Sequence, residues 1–153
     1  MRIAVASDHA GFALKQSILD HLVSRAEHTI EDLGPFGAGR VDYPEYAARM
    51  GECIHRGGAE QGILICGTGI GISIAANKML GIRAALCHDE FTARMARQHN
   101  DANVLCLGAR VLGEGLALSV VDAYLAAAFE GGRHADRVAK IHHLETLPRP
   151  KQV

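Results

Sequence analysis

Three short apolar runs constrain the fold of this chain more than any other feature: Gly62-Ile-Leu-Ile-Cys66, Ile82–Cys87 and Val104–Leu107. A strand that is apolar at successive positions must be covered on both faces, the condition of a strand inside a parallel sheet. Ile3-Ala4-Val5-Ala6 is a further run, closed by Ser7-Asp8 as a plausible helix cap, and Thr29–Leu33 is a weaker strand. Between them lie segments with helical periodicity. Phe12, Leu14, Ile18, Leu19, Leu22 and Val23 recur on one face, with Lys15, Asp20 and Arg25 on the other. Helices are also predicted over 45–56, 72–78, 89–98 (carrying Phe91 and Met95) and 114–129 (carrying Leu116, Val120, Val121, Leu125 and Phe129). Gly131-Gly132 breaks the chain before a last helix near His134, with Val138 and Ile141 on one face. Parallel neighbours require crossover connections, so five strands alternating with helices predict an α/β fold, a Rossmann-like three-layer α/β/α sandwich on a five-stranded parallel sheet. With no linker, internal repeat or low-complexity segment, residues 1–153 read as one domain, with 143–153 an extended tail.

Charge narrows the function. Lys and Arg total 16 against 17 for Asp and Glu, giving a net charge of −1. A duplex-binding protein needs a surplus of cations, so nucleic acid is not expected as a partner. Aromatic residues make up 5% and Trp is absent, which leaves little for stacking single strands. No apolar run approaches the roughly 20 residues that span a bilayer, so no membrane partner is expected. The balance is uneven along the chain: residues 1–76 hold 6 cations and 9 anions, residues 77–153 hold 10 and 8. Cys53, Cys66, Cys87 and Cys106 lack paired spacing, which predicts free thiols and a cytoplasmic setting. Neither HExxH nor paired-cysteine spacing is present, so no metal is expected.

In parallel sheets the ligand sits outside the carboxyl ends of the strands. That rule selects Ser7–Gly11, Cys66–Gly71 and Gly108–Gly113. Gly67-Thr68-Gly69-Ile70-Gly71 follows a buried strand and precedes a helix, so its backbone amides suit an anion. Named phosphate motifs fail on register: Ile72 stands where a P-loop needs Gly and where a cysteine phosphatase needs Arg. The dinucleotide fingerprint fails too, because its third Gly comes one residue early. Cys66, ending its strand beside these amides, sits where the thiolate form is favoured as a nucleophile or a base; a small buried hydrophobe is the alternative. Asp8 reads as a helix cap or, with His9, as a ligand for hydroxyls or phosphate. His99-Asn100-Asp101 lies at a helix boundary, where an imidazole suits proton transfer to a sugar ring oxygen. Arg110 follows the last strand, and Arg133, His134 and Arg137 share one helical face, as a phosphate site or a solvated basic face. His21, His28, His55, His142 and His143 have no partner pattern and read as surface residues.

Taken together these segments resemble the ribose-5-phosphate isomerase B family, which includes galactose-6-phosphate isomerase subunits. The matching stretches are Ser7–Phe12, Asp42-Tyr43-Pro44, Gly62–Gly71, Ser73–Lys78, Gly81–Ala84, Arg97–Val104, Gly108-Ala-Arg110 and Glu130–Arg137, covering roughly residues 2–143. The resemblance implies an aldose–ketose isomerase without cofactor, acting on a phosphorylated sugar, with ribose 5-phosphate and ribulose 5-phosphate as first choice. Tetrose 4-phosphate, allose 6-phosphate and galactose 6-phosphate are alternatives, as is a non-catalytic sugar-phosphate-binding subunit. A redox thiol protein, using Cys66, is a further reading, but no resolving cysteine neighbours it. By resemblance Cys66 is the base that moves a proton between C1 and C2. Thr68 and the amides of Gly67, Gly69, Ile70 and Gly71 hold the enediolate, and His99 opens the sugar ring. Asp8, His9 and Asn100 contact sugar, Tyr43 lines the pocket, and Arg110, Arg133, His134 and Arg137 contact phosphate or substrate. The resemblance also implies a homodimer, or a tetramer, with sites shared between subunits.

Overall fold

The structure, a computed structural model, describes residues 1–148. Strands and helices alternate as β1 (Arg2–Ser7), α1 (Phe12–Arg25), β2 (Thr29–Asp32), α2 (Tyr43–His55), β3 (Gln61–Cys66) and α3 (Ile70–Ala76). They continue as β4 (Ala84–Leu86), α4 (Glu90–Asn100), β5 (Val104–Gly108), α5 (Glu114–Leu125) and α6 (Arg133–Leu144). The sheet order is β2-β1-β3-β5-β4 with every pairing parallel. No helix among the described residues is long and apolar enough to cross a membrane.

Both faces of the central strands β1, β3 and β5 are dry, as the apolar runs require. Ile3, Val5, Ile63, Ile65, Leu105 and Leu107 pack with Ile18 and Leu22 of α1, Ala93 and Ala96 of α4, and Val120 and Val121 of α5. The alternate residues Ala4, Ala6, Leu64, Cys66, Val104 and Cys106 face Tyr46, Ala47 and Met50 of α2 and Ile72 and Ala76 of α3. Period-two side-chain alternation thus sorts each central strand between two cores. The three-layer α/β/α architecture is the one expected.

Several boundaries and faces differ from expectation. β4 is only three residues long; just before it the Arg83 N–H donates to the Asn103 side chain at 2.8 Å rather than to a strand neighbour. Helix α2 starts at Tyr43, with Pro44 in its first turn, where a missing N–H costs nothing. Helix α3 starts at Ile70, two residues before the expected position, and α5 stops at Leu125, before Phe129. Asp8 does not cap α1; its Oδ1 accepts from Gly11 N–H at 2.9 Å and closes the turn that precedes the helix. Phe91, Leu116 and Ile141 are exposed rather than core. In α4 the residues facing the core are Ala93 and Ala96, small enough to let α5 approach closely. The tail expected to be extended from 143 is helical to Leu144, and 149–153 lie outside the described residues. Of the histidines read as surface residues, His21 bonds Asp122 at 2.8 Å and His142 bonds Arg83 at 2.7 Å.

Lys15 is the largest departure. Expected on the polar face of α1, it is fully buried. Its ammonium donates to both oxygens of Asp32, at 2.6 and 2.7 Å, and to the Pro35 carbonyl at 2.9 Å. The rings of Phe12 and Phe36 flank it, each 5.6 Å from Nζ. Asp32 also accepts from Gly34 N–H at 2.9 Å, and the Gly34 carbonyl accepts from Ser7 N–H at 3.0 Å. One buried ion pair therefore anchors the start of the loop after β2 to the carboxyl end of β1. Removing a single partner of such a pair leaves an uncompensated buried charge. Asp32→Ala should lower unfolding free energy by about 3 kcal/mol or more in urea titrations. A loss below about 1 kcal/mol, typical of an exposed pair, would show that Lys15 reaches water instead.

Candidate active site

All strands point the same way, so β1, β3 and β5 deliver three loops side by side at one edge of the sheet. Asp8 N–H donates to the Ile65 carbonyl at 3.0 Å, which fixes the end of β1 against the end of β3. Cys66 closes β3 and is 4% exposed. The chain then turns back on itself, and Gly69 N–H donates to Cys66 Sγ at 3.1 Å. That turn needs φ +77° at Gly69, a left-handed conformation, and a Cβ there would strike Leu86 and the Leu107 backbone. Thr68 is exposed, with Oγ1 accepting from Ile70 N–H at 3.3 Å. The amide of Gly71 opens the first turn of α3, where no carbonyl of the helix is available to it.

Three further side chains converge on this turn. Tyr43 stands over Gly71, where a Cβ would lie 2.8 Å from the Tyr43 Cζ. Arg110 N–H donates to the Gly67 carbonyl at 2.9 Å, and its guanidinium lies back along Gly67. His9 is exposed, with Nδ1 3.0 Å from the Val41 carbonyl. The structure therefore gathers Asp8, His9, Tyr43, Cys66, Thr68, the glycine turn and Arg110 at the carboxyl edge. Val41 was not singled out in the sequence, since a backbone carbonyl leaves no signature there.

The remaining candidates sit elsewhere. Helix α4 runs back over the sheet, so His99 and Asn100 lie beside the amino end of β5, where the Asn103 carbonyl accepts from Gly62 N–H at 2.8 Å. Cys66 and His99 are thus separated by the length of β3, about 16 Å for five strand rises. His99 and His134 stack with ring centroids 4.2 Å apart and planes inclined by 5°. Glu130 Oε2 lies 3.9 Å from His99 Nε2 and 3.8 Å from His134 Nε2. Arg133 and Arg137 are exposed on the same turn of α6. The frame below is tight: Asp101 caps α4 at φ +46° and is held by Arg83 at 2.9 Å and Arg97 at 2.8 Å. Glu130 was missed as part of this cluster; its place four residues before His134 is a signal, but Gly131-Gly132 makes it look like a linker.

The other thiols do not compete with Cys66. All four cysteines are free and buried. Burial pushes the Cys87 thiol up to about 11 and holds the Cys106 thiol well above its usual range. Cys53 is raised by burial and by Glu31 beside it. None of the three lies on the glycine turn.

A thiol, an amide-lined turn and a guanidinium at the carboxyl edge of a parallel sheet are the parts of an α/β enzyme that handles an anionic substrate. The family model described as Ribose/Galactose Isomerase matches residues 3–141. The chain belongs to that family and is an aldose–ketose isomerase. It is 51% identical over 144 residues to ribose-5-phosphate isomerase B of Escherichia coli K12, spanning 94% of this chain and 96% of that one. Ribose-5-phosphate isomerase B of Clostridium thermocellum superposes with a TM-score of 0.93 at 52% identity, covering 95% of this chain and 97% of that one. The Mycoplasma genitalium enzyme, solved with bound ribulose-5-phosphate, superposes with a TM-score of 0.90 at 44% identity, covering 94% and 95%.

His134 gives the amino-edge cluster a pH signature. Burial first, then the nearby charges of His99 and Arg133, hold its imidazole below the usual 6.5. The folded chain resists this proton while the unfolded chain accepts it. The contribution to stability is therefore complete above 6.5 and is lost as the pH falls below it. Urea midpoints measured at about pH 7.5 and about pH 5 should drop in the wild type, and by less in His134→Gln. Equal drops in the two proteins would contradict the assignment.

Proposed function

We propose that the chain interconverts ribose 5-phosphate and ribulose 5-phosphate, with Cys66 as the base that moves a proton between C1 and C2. The observation that carries this reading is the Cys66 thiol at the mouth of the glycine turn, with Gly69 N–H on its sulfur at 3.1 Å. The names of the relatives, and the ribulose-5-phosphate bound to one of them, support the choice of sugar.

The chemistry follows from what the residues offer. The sugar must first open, and His99 transfers the proton between the ring oxygen and the anomeric hydroxyl. Cys66 as thiolate then takes the C2 proton of the open aldose, and the electron pair moves to the carbonyl oxygen. The resulting enediolate is met by the Thr68 hydroxyl and the amides of Gly67 and Gly71, while the Gly69 and Ile70 amides hold the Cys66 sulfur and the Thr68 oxygen in place. The proton of the C2 hydroxyl passes to the C1 oxygen by way of the Thr68 hydroxyl, the thiol returns its proton to C1 as the C2 carbonyl forms, and the ketose is complete. Asp8, His9, Tyr43 and Asn100 orient the hydroxyls, and Arg110, Arg133, His134 and Arg137 hold the phosphate.

This reading requires both edges of the sheet in one site, and a homodimer meets that need. The base lies at the carboxyl edge, whereas His99, Asn100, Arg133, His134 and Arg137 lie about 16 Å away at the other. Exposed apolar side chains support such pairing: Ile70 and Ile74 on α3 beside the glycine turn, and Leu80, Ile141 and Leu144. Leu80, Ile141 and Leu144 line a groove of about 660 Å³ that also reaches Asn100. In the dimer we propose, a two-fold partner seated on these side chains brings the histidine edge of one chain over the thiol edge of the other. The four free thiols suit a reducing compartment, and we place the enzyme in the cytoplasm.

Loss of a general base costs about 10²–10⁴-fold in turnover. Cys66→Ala should therefore lower kcat for ribose 5-phosphate by about 10³-fold while binding a non-isomerisable sugar-phosphate analogue within a few-fold of wild type. Wild-type turnover in that variant would remove Cys66 from the reaction. Turnover of a tetrose or hexose phosphate alone would keep the isomerase and overturn the pentose.

A further inference from the structure

We propose that His99, Glu130 and His134 form a binding site for a borderline divalent transition metal, Zn²⁺ fitting best, and that the bound ion competes with the sugar phosphate. The second half rests on the reading of His99 given above; the first does not. One ligand atom from each residue can be chosen so that all lie within 4.8 Å of one another. Two imidazoles and one carboxylate are a zinc donor set that leaves the fourth tetrahedral position open to water or substrate. Two nitrogen donors out of three disfavour Mg²⁺ and Ca²⁺, which take oxygen.

The geometry is close to what the ion requires. Tetrahedral bonds of about 2.0–2.1 Å place ligand atoms about 3.4 Å apart. Glu130 Oε2 stands 3.9 Å from His99 Nε2 and 3.8 Å from His134 Nε2, so these two edges close by about 0.5 Å on binding. A single ion cannot lie in the plane of two parallel rings, so one imidazole has to turn. His99 is the one free to do so, being 38% exposed at its side chain against 7% for His134.

The scaffold supplies the rest. Glu130 N–H donates to the Gln98 carbonyl at 3.0 Å, tying the acid directly to the helix that carries His99. His134 N–H donates to the Gly131 carbonyl at 3.0 Å across a turn whose two glycines have positive φ. The backbones that carry the three ligands, on α4, on the turn before α6 and on α6, are thereby tied together before any ion arrives, leaving the His99 ring to turn. The Arg133 and Arg137 charges on the same turn oppose a dication, and Glu130 offsets them in part. With His99 and His134 turned onto a metal, neither is available to a sugar.

The test is titration of the purified full chain with ZnCl₂ by calorimetry, paired with isomerase kinetics over the same range of zinc. Uptake of one ion per chain is expected, retained in Cys66→Ser and weakened about tenfold or more in Glu130→Gln and in His134→Ala. In kinetics zinc should raise the apparent KM for the sugar phosphate and leave kcat unchanged. Glu130→Gln keeps the shape of the side chain, so it decides the matter if His134→Ala does not fold. No binding below millimolar zinc, or binding that Glu130→Gln leaves intact or Cys66→Ser abolishes, overturns the site. Binding that needs Glu130 but leaves the kinetics untouched keeps the metal site and removes His99 from the reaction.

Discussion

In a sheet whose strands are all parallel, every carboxyl end opens on one edge and every crossover carries the chain back across a layer of helices. Here that constraint decides where chemistry can occur. β3 is buried along its whole length, so its backbone has no freedom until Cys66, where the glycine turn begins. The loops after β1 and β5 arrive beside it because those strands are its neighbours. Position in the sheet, rather than any local motif, is what brings Asp8, Cys66 and Arg110 together.

The same constraint sends the histidine cluster to the other edge. Helix α4 must return to the amino end of β5, and it carries His99 and Asn100 with it. The charge asymmetry of the sequence follows this division only in part: Arg133 and Arg137 belong to the basic half, but so does Arg110, which lies at the thiol edge. Under the proposed mechanism neither edge of one chain is a complete isomerase site. In the proposed dimer each thiol edge takes its imidazole and phosphate ligands from its partner, which also covers Ile70, Ile74 and Leu144.

Sheet, helix order and carboxyl-edge loops were legible because apolar runs and glycine spacing are local signals. Lys15 was not. It falls on the same helical face as Ile18 and Leu22, three and seven residues on, yet its charge argued for solvent; only the distant Asp32 reverses that. Phe91 misled for the opposite reason: a large apolar residue suggests core, whereas Ala93 and Ala96 face α5. Motif resemblance named His99 and His134 but could not place His99 against Glu130, because that contact crosses from α4 to the turn before α6 and follows no period. Long-range pairing of charges is the information a single sequence holds least openly.

Complementation between two inactive chains tests the shared site most directly. Cys66→Ala and His99→Asn are each inactive alone under the proposed mechanism. Co-expressed, half of randomly paired dimers hold one intact site, formed by the thiol of one chain and the imidazole of the other. About a quarter of wild-type turnover should return. Turnover that stays at the level of the single variants, with mixed dimers present, would contradict a site built from both chains.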